Sequence, residues 1–224
     1  MSTSNLPKTG FLAEASAALL SMLDELATEI TLDKGETLFE LGDEGDALFA
    51  IVEGAVEFST YSIDGRRLGL EIMRAGELFG EIALFDPGER TANASALEPT
   101  RLRKVKNGDV LAAIKDQPDL VIDIIALAGQ RMRWMNRQLS EQVFLPMPVR
   151  LARKILHLTR DDTSSEPMLS LSQSELAEFI GATREAVSKT ISQWKKQDVI
   201  HSTRGGLKVL DKRAMEIIAE FEEI

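Results

Sequence analysis

The chain has 224 residues and a formal net charge of −10, enough length for two domains with a sizeable core. It contains no cysteine, which excludes disulfides, thiolate metal sites, iron–sulfur ligation and cysteine catalysis; two histidines, His157 and His201, poorly support a histidine-built metal or haem site. The acidic balance argues against nucleic acid only on average, because residues 1–145 carry all of the −10 while residues 146–224 hold 12 Lys/Arg against 12 Asp/Glu. Within 183–208 six basic side chains face two acidic ones, a locally basic stretch of the kind phosphate contacts need. The polar start MSTSNLPKTG lacks the apolar core of a secretion signal, and LVIDIIALAG at 120–129 is too short to span a bilayer and carries Asp123. A soluble, cytoplasmic protein with no membrane partner is expected.

In chain order, residues 12–30 read as an amphipathic helix, with Leu19, Leu20, Leu23, Leu26 and Ile30 at helical spacing. From Ile30 to Val105 short strand-like runs (ALFAIVEG, AVEFSTYSI, RRLGLEIM, TRLRKVK) are divided by Gly-containing turn signals, which points to a β-barrel or sandwich. Asp64-Gly65 between two such runs is a hairpin signal. A long helix is predicted over 109–144. Val121, Ile125, Ala128, Met132, Met135, Leu139 and Gln142 alternate steps of four and three along it, forming an a/d seam flanked by Arg131, Arg133, Arg137 and Glu141 and suited to a second copy of the chain; the competing reading is a helix packed on its own domain. Pro146 and Pro148 end this helix and set a domain boundary.

Beyond the boundary, VRLARKILHLTR is a further amphipathic helix and DDTSSEP a polar loop. In SQSELAEFIGATREAVSKTISQW, Ser172 and Glu175 form a capping box, Gly181 ends one helix and Thr183 caps the next. Val187, Ile191 and Trp194 make an apolar stripe on the second helix and leave Arg184, Glu185, Ser188 and Lys189 with free polar ends. Two short helices joined at a glycine turn are a helix-turn-helix pattern, and IHSTRGGLKVL, turning at Gly205-Gly206, reads as a two-stranded wing. The tail AMEIIAEFEEI reads as an extra amphipathic helix packed on this domain or on a partner. The whole divides into residues 1–108, a β-rich sensor domain; 109–145, a dimerisation helix; and 146–224, the winged helix-turn-helix.

Two groups of residues carry chemistry. The second helix of the helix-turn-helix suits the DNA major groove. An arginine there bonds bidentately to guanine and a glutamate accepts from a cytosine amino group; Lys189, Lys195, Lys196 and Arg204 suit phosphates, with Ser172 and Ser174 donating from the first helix. In GELFGEIALFDPGERTANASA (76–96), Gly80 and Glu81 stand close to Arg90 and Thr91. Amides at a helix start near Gly80, the Arg90 fork and the Thr91 hydroxyl suit a phosphate, and Glu81 suits a sugar hydroxyl. The competing reading is a Glu81–Arg90 ion pair that braces a loop.

The blocks GETLFELGDEGDALFAIVEGAVEF, FGEIALFDPGERTANASA and TREAVSKTISQW, in this order around a long helix, resemble the CRP/FNR (cyclic-AMP receptor protein) family of bacterial transcription regulators over roughly residues 12–210. The resemblance implies an α+β chain: an N-terminal β-roll (double-stranded, jelly-roll-like, cyclic-nucleotide-binding), a dimerisation helix and a DNA-binding winged helix-turn-helix. It implies an effector site at Gly80, Glu81, Ile82, Arg90 and Thr91, with the glutamate on a ribose hydroxyl and the Arg-Thr pair on a cyclic phosphate. Cyclic-AMP binders place Thr-Ser against the adenine where this chain has Met135 and Asn136. Asn136 can bond a base edge; Met135 cannot. The residues expected at DNA are Ser172, Ser174, Thr183, Arg184, Glu185, Ser188, Lys189 and Arg204. Ser188 follows the FNR-like branch, and Lys189 stands where the cyclic-AMP receptor branch has a forked arginine.

The expected partners are a palindromic duplex with TGTGA or TTGA half-sites, a second copy of the chain through Val121, Ile125, Ala128, Met132, Met135 and Leu139, RNA polymerase, and a small nucleotide: cyclic AMP, cyclic GMP, cyclic di-GMP or a related effector. No metal, haem or iron–sulfur cluster is expected, since neither the cysteines of FNR-type sensing nor a His or Cys haem ligand in residues 1–145 is present. A constitutive DNA-binding regulator with a remodelled pocket is the alternative, motivated by Met135. A regulatory subunit of an enzyme or channel would need a docking segment, membrane span or second β-roll. No metal, P-loop or Gly-x-Ser-x-Gly pattern supports an enzyme.

Overall fold

The computed structural model describes Leu6 and residues 12–160 and 162–220, so the end of the predicted tail helix, 221–224, lies outside the described residues. The chain forms two compact units, one of Met1–Thr60 and Leu70–Met135, the other of Tyr61–Gly69 and Asn136–Ile224.

The first unit is built on two antiparallel four-stranded sheets. One joins β1 (Thr28–Leu32), β8 (Thr100–Lys106), β3 (Ala47–Glu53) and β6 (Leu78–Phe79); the other joins β2 (Thr37–Phe39), β7 (Asn93–Ala96), β4 (Ala55–Tyr61) and β5 (Arg67–Arg74). Apolar residues alternate inward to make one core around Ile51, Val56, Met73 and Leu102, with Phe49 stacked on Phe79 at 5.3 Å and Phe58 edge-on to Phe79 at 5.0 Å. A second core lies where Leu48, Leu78 and Val105 meet three helices: α1 (Ala17–Leu26), α3 (Asn107–Asp116) and the first half of α4 (Leu120–Phe144).

Two predicted helices are shorter than expected. The helix expected over 12–30 spans Ala17–Leu26, starting at Ser16, whose hydroxyl accepts from the Leu19 amide at 3.0 Å. Past Leu26, Thr28, Ile30 and Thr31 favour extended backbone, and β1 pairs with β8 instead. The helix expected over 109–144 is two. Pro118 has no amide to donate and pushes Gln117 out of helical geometry (φ −130°, ψ 75°), so α3 ends at Asp116 and α4 begins at Leu120.

In the second unit the hairpin tip carries the expected Asp64-Gly65 turn, with the Gly65 amide donating to the Ser62 carbonyl at 2.9 Å. The tip is joined to the helical part by Arg67–Glu178 at 2.7 Å, and by Gly69, where a Cβ would fall 2.7 Å from the Phe179 ring. After Pro146 come α5 (Met147–Leu158), β9 (Met168–Leu169), α6 (Gln173–Ile180), α7 (Arg184–Lys196), β10 (Ile200–Thr203), β11 (Gly206–Val209) and α8 (Lys212–Ala219). The wing has three strands rather than two, in the order β10-β11-β9. Its turn is Arg204-Gly205 rather than Gly205-Gly206; Gly206 begins β11, and a Cβ there would lie 2.1 Å from the Leu169 carbonyl. The tail helix begins at an Asp211 cap and packs as α8 on α5.

Candidate ligand cradle and nucleic-acid interface

In the first unit the chain leaves β6 at Gly80, whose φ of +82° suits a residue without Cβ; a Cβ there would also sit 2.8 Å from the Ala47 carbonyl and 2.9 Å from Arg90 Nη1. Glu81 and the single-turn helix α2 (Ile82–Phe85) follow. One turn sums few peptide dipoles, so attraction for an anion falls chiefly on Arg90 rather than on the helix start. The Arg90 side chain is 5% exposed. Its Nη2 donates to the Ala47 carbonyl at 2.9 Å, and the guanidinium carbon lies 4.4 Å from the centre of the Phe39 ring. Its Nε and Nη1 are buried without a hydrogen-bond acceptor. Burial holds its pKa below the ordinary guanidinium value against the raising pull of Asp46, Asp43 and Glu81, yet an arginine stays charged.

Glu81 does not pair with Arg90 through a hydrogen bond. Its Oε1 accepts from Arg131 Nε on α4 at 2.8 Å, and its buried Oε2 has no hydrogen-bond partner. Arg131 also lies over the Trp134 ring at 5.2 Å. Sequence reasoning placed Arg131 only as a flank of the α4 seam. The available signal was its position one helical turn before Met135, on the same face. Thr91 and Ile82 are exposed beside the cradle, and Met135 and Asn136 are exposed on the next turn of α4.

The residues present fit a sugar-phosphate at one end. Two buried guanidinium nitrogens of Arg90 lack an acceptor and the Glu81 Oε2 lacks a donor, polarity that an anion and a hydroxyl would complement. Along α4, Leu120, Ile124 and Leu127 are buried inward, while Val121, Ile125, Met132, Met135 and Leu139 are exposed and Ala128 is half-buried. Ile122 and Val143, which the sequence seam omitted, extend this apolar edge.

In the second unit the helix-turn-helix forms as its capping chemistry directs. Glu175 N donates to Ser172 Oγ at 3.2 Å and Ser172 N to Glu175 Oε2 at 2.7 Å; Gly181 takes the left-handed cap; Ala186 N donates to Thr183 Oγ1 at 3.2 Å. Val187, Thr190, Ile191 and Trp194 bury one face of α7. Arg184, Glu185 and Lys189 are exposed on its first turns, with Ser188 half-buried between them. Ser172 and Ser174 are exposed at the start of α6, and Arg204 at the tip of the wing. The residues predicted to meet DNA therefore share one unit, at the N-terminal turns of α6 and α7 and on the wing. Among the described residues no cluster of His, Asp and Glu suited to a metal ion is found, and no helix is long and apolar enough to cross a membrane.

A family profile described as a cyclic nucleotide-binding domain matches residues 29–117, and one described as a Crp-like helix-turn-helix domain matches residues 149–218. The cyclic AMP receptor protein of Thermus thermophilus is 32% identical over 186 residues, 83% of this chain and 85% of that protein. The CRP-like cAMP-activated global transcriptional regulator of Mycobacterium tuberculosis is 28% identical over 194 residues, 84% of this chain and 87% of that one. The solved structure of a transcriptional regulator of the CRP/FNR family from Thermus thermophilus superposes with a TM-score of 0.75 at 25% identity, covering 87% of this chain and 99% of that one. With a β-sheet unit of the cyclic-nucleotide-binding kind joined to a winged helix-turn-helix, the chain belongs to the CRP/FNR family of DNA-binding transcription regulators.

Proposed function

We propose that this regulator is a cytoplasmic homodimer that reads an inverted repeat and is controlled by a cyclic nucleotide or a similar phosphorylated effector held at Gly80, Glu81, Arg90 and Thr91. The observation that carries the effector reading is Arg90, a buried cation with two donors lacking acceptors, close to a Glu81 oxygen that lacks a donor. A cyclic phosphate would accept from Arg90 and Thr91, and a ribose hydroxyl would donate to Glu81 while Arg131 holds the other oxygen. Met135 and Asn136 would face the base, where an amide selects a base edge and a thioether gives only apolar contact. The effector shifts the protein toward DNA-competent arrangements only as far as it binds those arrangements better.

At DNA, Arg184, Glu185 and Lys189 would read base edges from α7, while Ser172, Ser174, Thr183 and Arg204 would hold phosphates. The exposed apolar edge of α4 would pair with its copy, setting two recognition helices one duplex turn apart on TGTGA- or TTGA-type half-sites. The test is a calorimetric titration with cyclic AMP, cyclic GMP and cyclic di-GMP. Heat from one of them, lost in Arg90→Ala, is the expected result. No heat from any, with DNA binding intact, would favour the constitutive reading that Met135 motivates.

A further inference from the structure

Glu141 and Gln142 are neighbours on the last turn of α4, and each holds an arginine of α5 that in turn holds the end of another helix. Arg150 Nη1 donates to Gln142 Oε1 and, at 2.7 Å, to the carbonyl of Ile180, the final residue of α6; Gln142 Nε2 reaches the same carbonyl at 3.3 Å. Arg153 Nη1 pairs with Glu141 Oε1 at 3.0 Å, and its Nε donates at 2.9 Å to the carbonyl of Ala219, the final residue of α8. Residues 150 and 153 are three apart and so share one face of α5. The last carbonyls of a helix have no partner within it, and a cation there also meets the negative end of the peptide dipoles. Two helix ends are thus tied to adjacent positions on α4.

The tie to α6 bears on DNA reading. From the Ile180 carbonyl the chain passes through Gly181, Ala182 and Thr183 directly into Arg184 and Glu185 at the start of α7. The approach at Gly181 is close: a Cβ there would lie 2.7 Å from Gln142 Nε2, and the φ of +59° disfavours one in any case. Hydrogen bonds lose strength steeply outside a narrow range of distance and angle, so this node favours the observed placement of the helix end over displaced ones.

We propose that Arg150 and Gln142 are positioning residues that register the recognition helix to the last turn of α4 through the Ile180 carbonyl, and so set sequence discrimination without touching DNA. This rests on the DNA-binding role of the family. The alternative is that the node only stabilises the domain.

The experiment uses the full chain and two duplexes of equal length: one selected by the wild-type protein from a randomised pool, and one unrelated. Affinities for both are measured at one fixed salt concentration, together with thermal unfolding. Arg150→Met removes the nitrogen that serves both acceptors; Gln142→Ala removes the amide, adds no apolar bulk to the exposed edge of α4 and keeps a strong helix former there. Each variant is expected to lower the ratio of selected to unrelated affinity by about tenfold, and the double variant to lose little more than either single one. An unchanged ratio in both variants, or equal losses on the two duplexes, would overturn the proposal in favour of a merely stabilising node. A wild-type chain that selected no duplex would instead overturn the DNA-reading role, and the proposal with it.

Discussion

Arg90 is buried at a cost that its protein partners offset only in part. Asp46 is 3.8 Å away and more than half exposed, which makes it a surface-type partner worth about 1 kcal/mol or less. The bond to the Ala47 carbonyl adds about 1.5–3 kcal/mol and the contact with Phe39 about 1 kcal/mol, whereas each of the two buried donors without an acceptor costs about 1–3 kcal/mol beside the desolvation of the charge. Arg90→Met is therefore expected to leave the nucleotide-free protein as stable or about 1 kcal/mol more stable, while abolishing nucleotide binding. Thermal unfolding with and without nucleotide checks both halves; marked destabilisation without ligand would show that the arginine is structural. At DNA, Glu185→Ala should relax specificity at one base pair of the selected site by roughly 1–3 kcal/mol, read by competition among single-base variants. A uniform loss on every sequence would contradict groove docking. Arg90 and Thr91 were legible in the sequence because they follow a Pro-Gly turn close to Gly-Glu. Arg131 was not, because its place beside Glu81, across 50 residues, depends on how α4 lies along the sheet.

Elements whose signals are local were read well, and those completed by distant segments were not. The capping box at Ser172, the left-handed Gly181 and the Asp64-Gly65 hairpin each contain their own hydrogen-bond logic within a few residues. The break between α3 and α4 was passed over because apolar spacing continues across Pro118. Strand β9 was missed because two residues carry no periodicity and exist as a strand only against Leu207 and Lys208. That pairing makes Gly206 sensitive. Gly206→Ala drives a Cβ into the Leu169 carbonyl and should destabilise the protein by about 2 kcal/mol or more, observed as a lower denaturant midpoint at unchanged slope. A neutral outcome would mean that the wing yields locally at little cost.

For the whole molecule, the exposed apolar edge of α4 is the face that the proposed dimer would cover. Ile122, Ile125, Met132, Leu139 and Val143 are all more than 60% exposed on one helix, a concentration that water disfavours and a copy of the helix would cover. Leu139→Asp should shift the protein from dimer to monomer in sedimentation and weaken binding to a palindrome more than to a single half-site. The DNA-binding unit is near neutral, so its affinity would rest on local basic groups and fall steeply with added salt. In the proposed mechanism the cradle governs DNA binding. The direct measurement is the affinity of the wild-type protein for its selected duplex with and without each cyclic nucleotide, alongside Arg90→Ala. The expected result is that one nucleotide changes the wild-type affinity and leaves Arg90→Ala unmoved; identical affinities under every condition would contradict it.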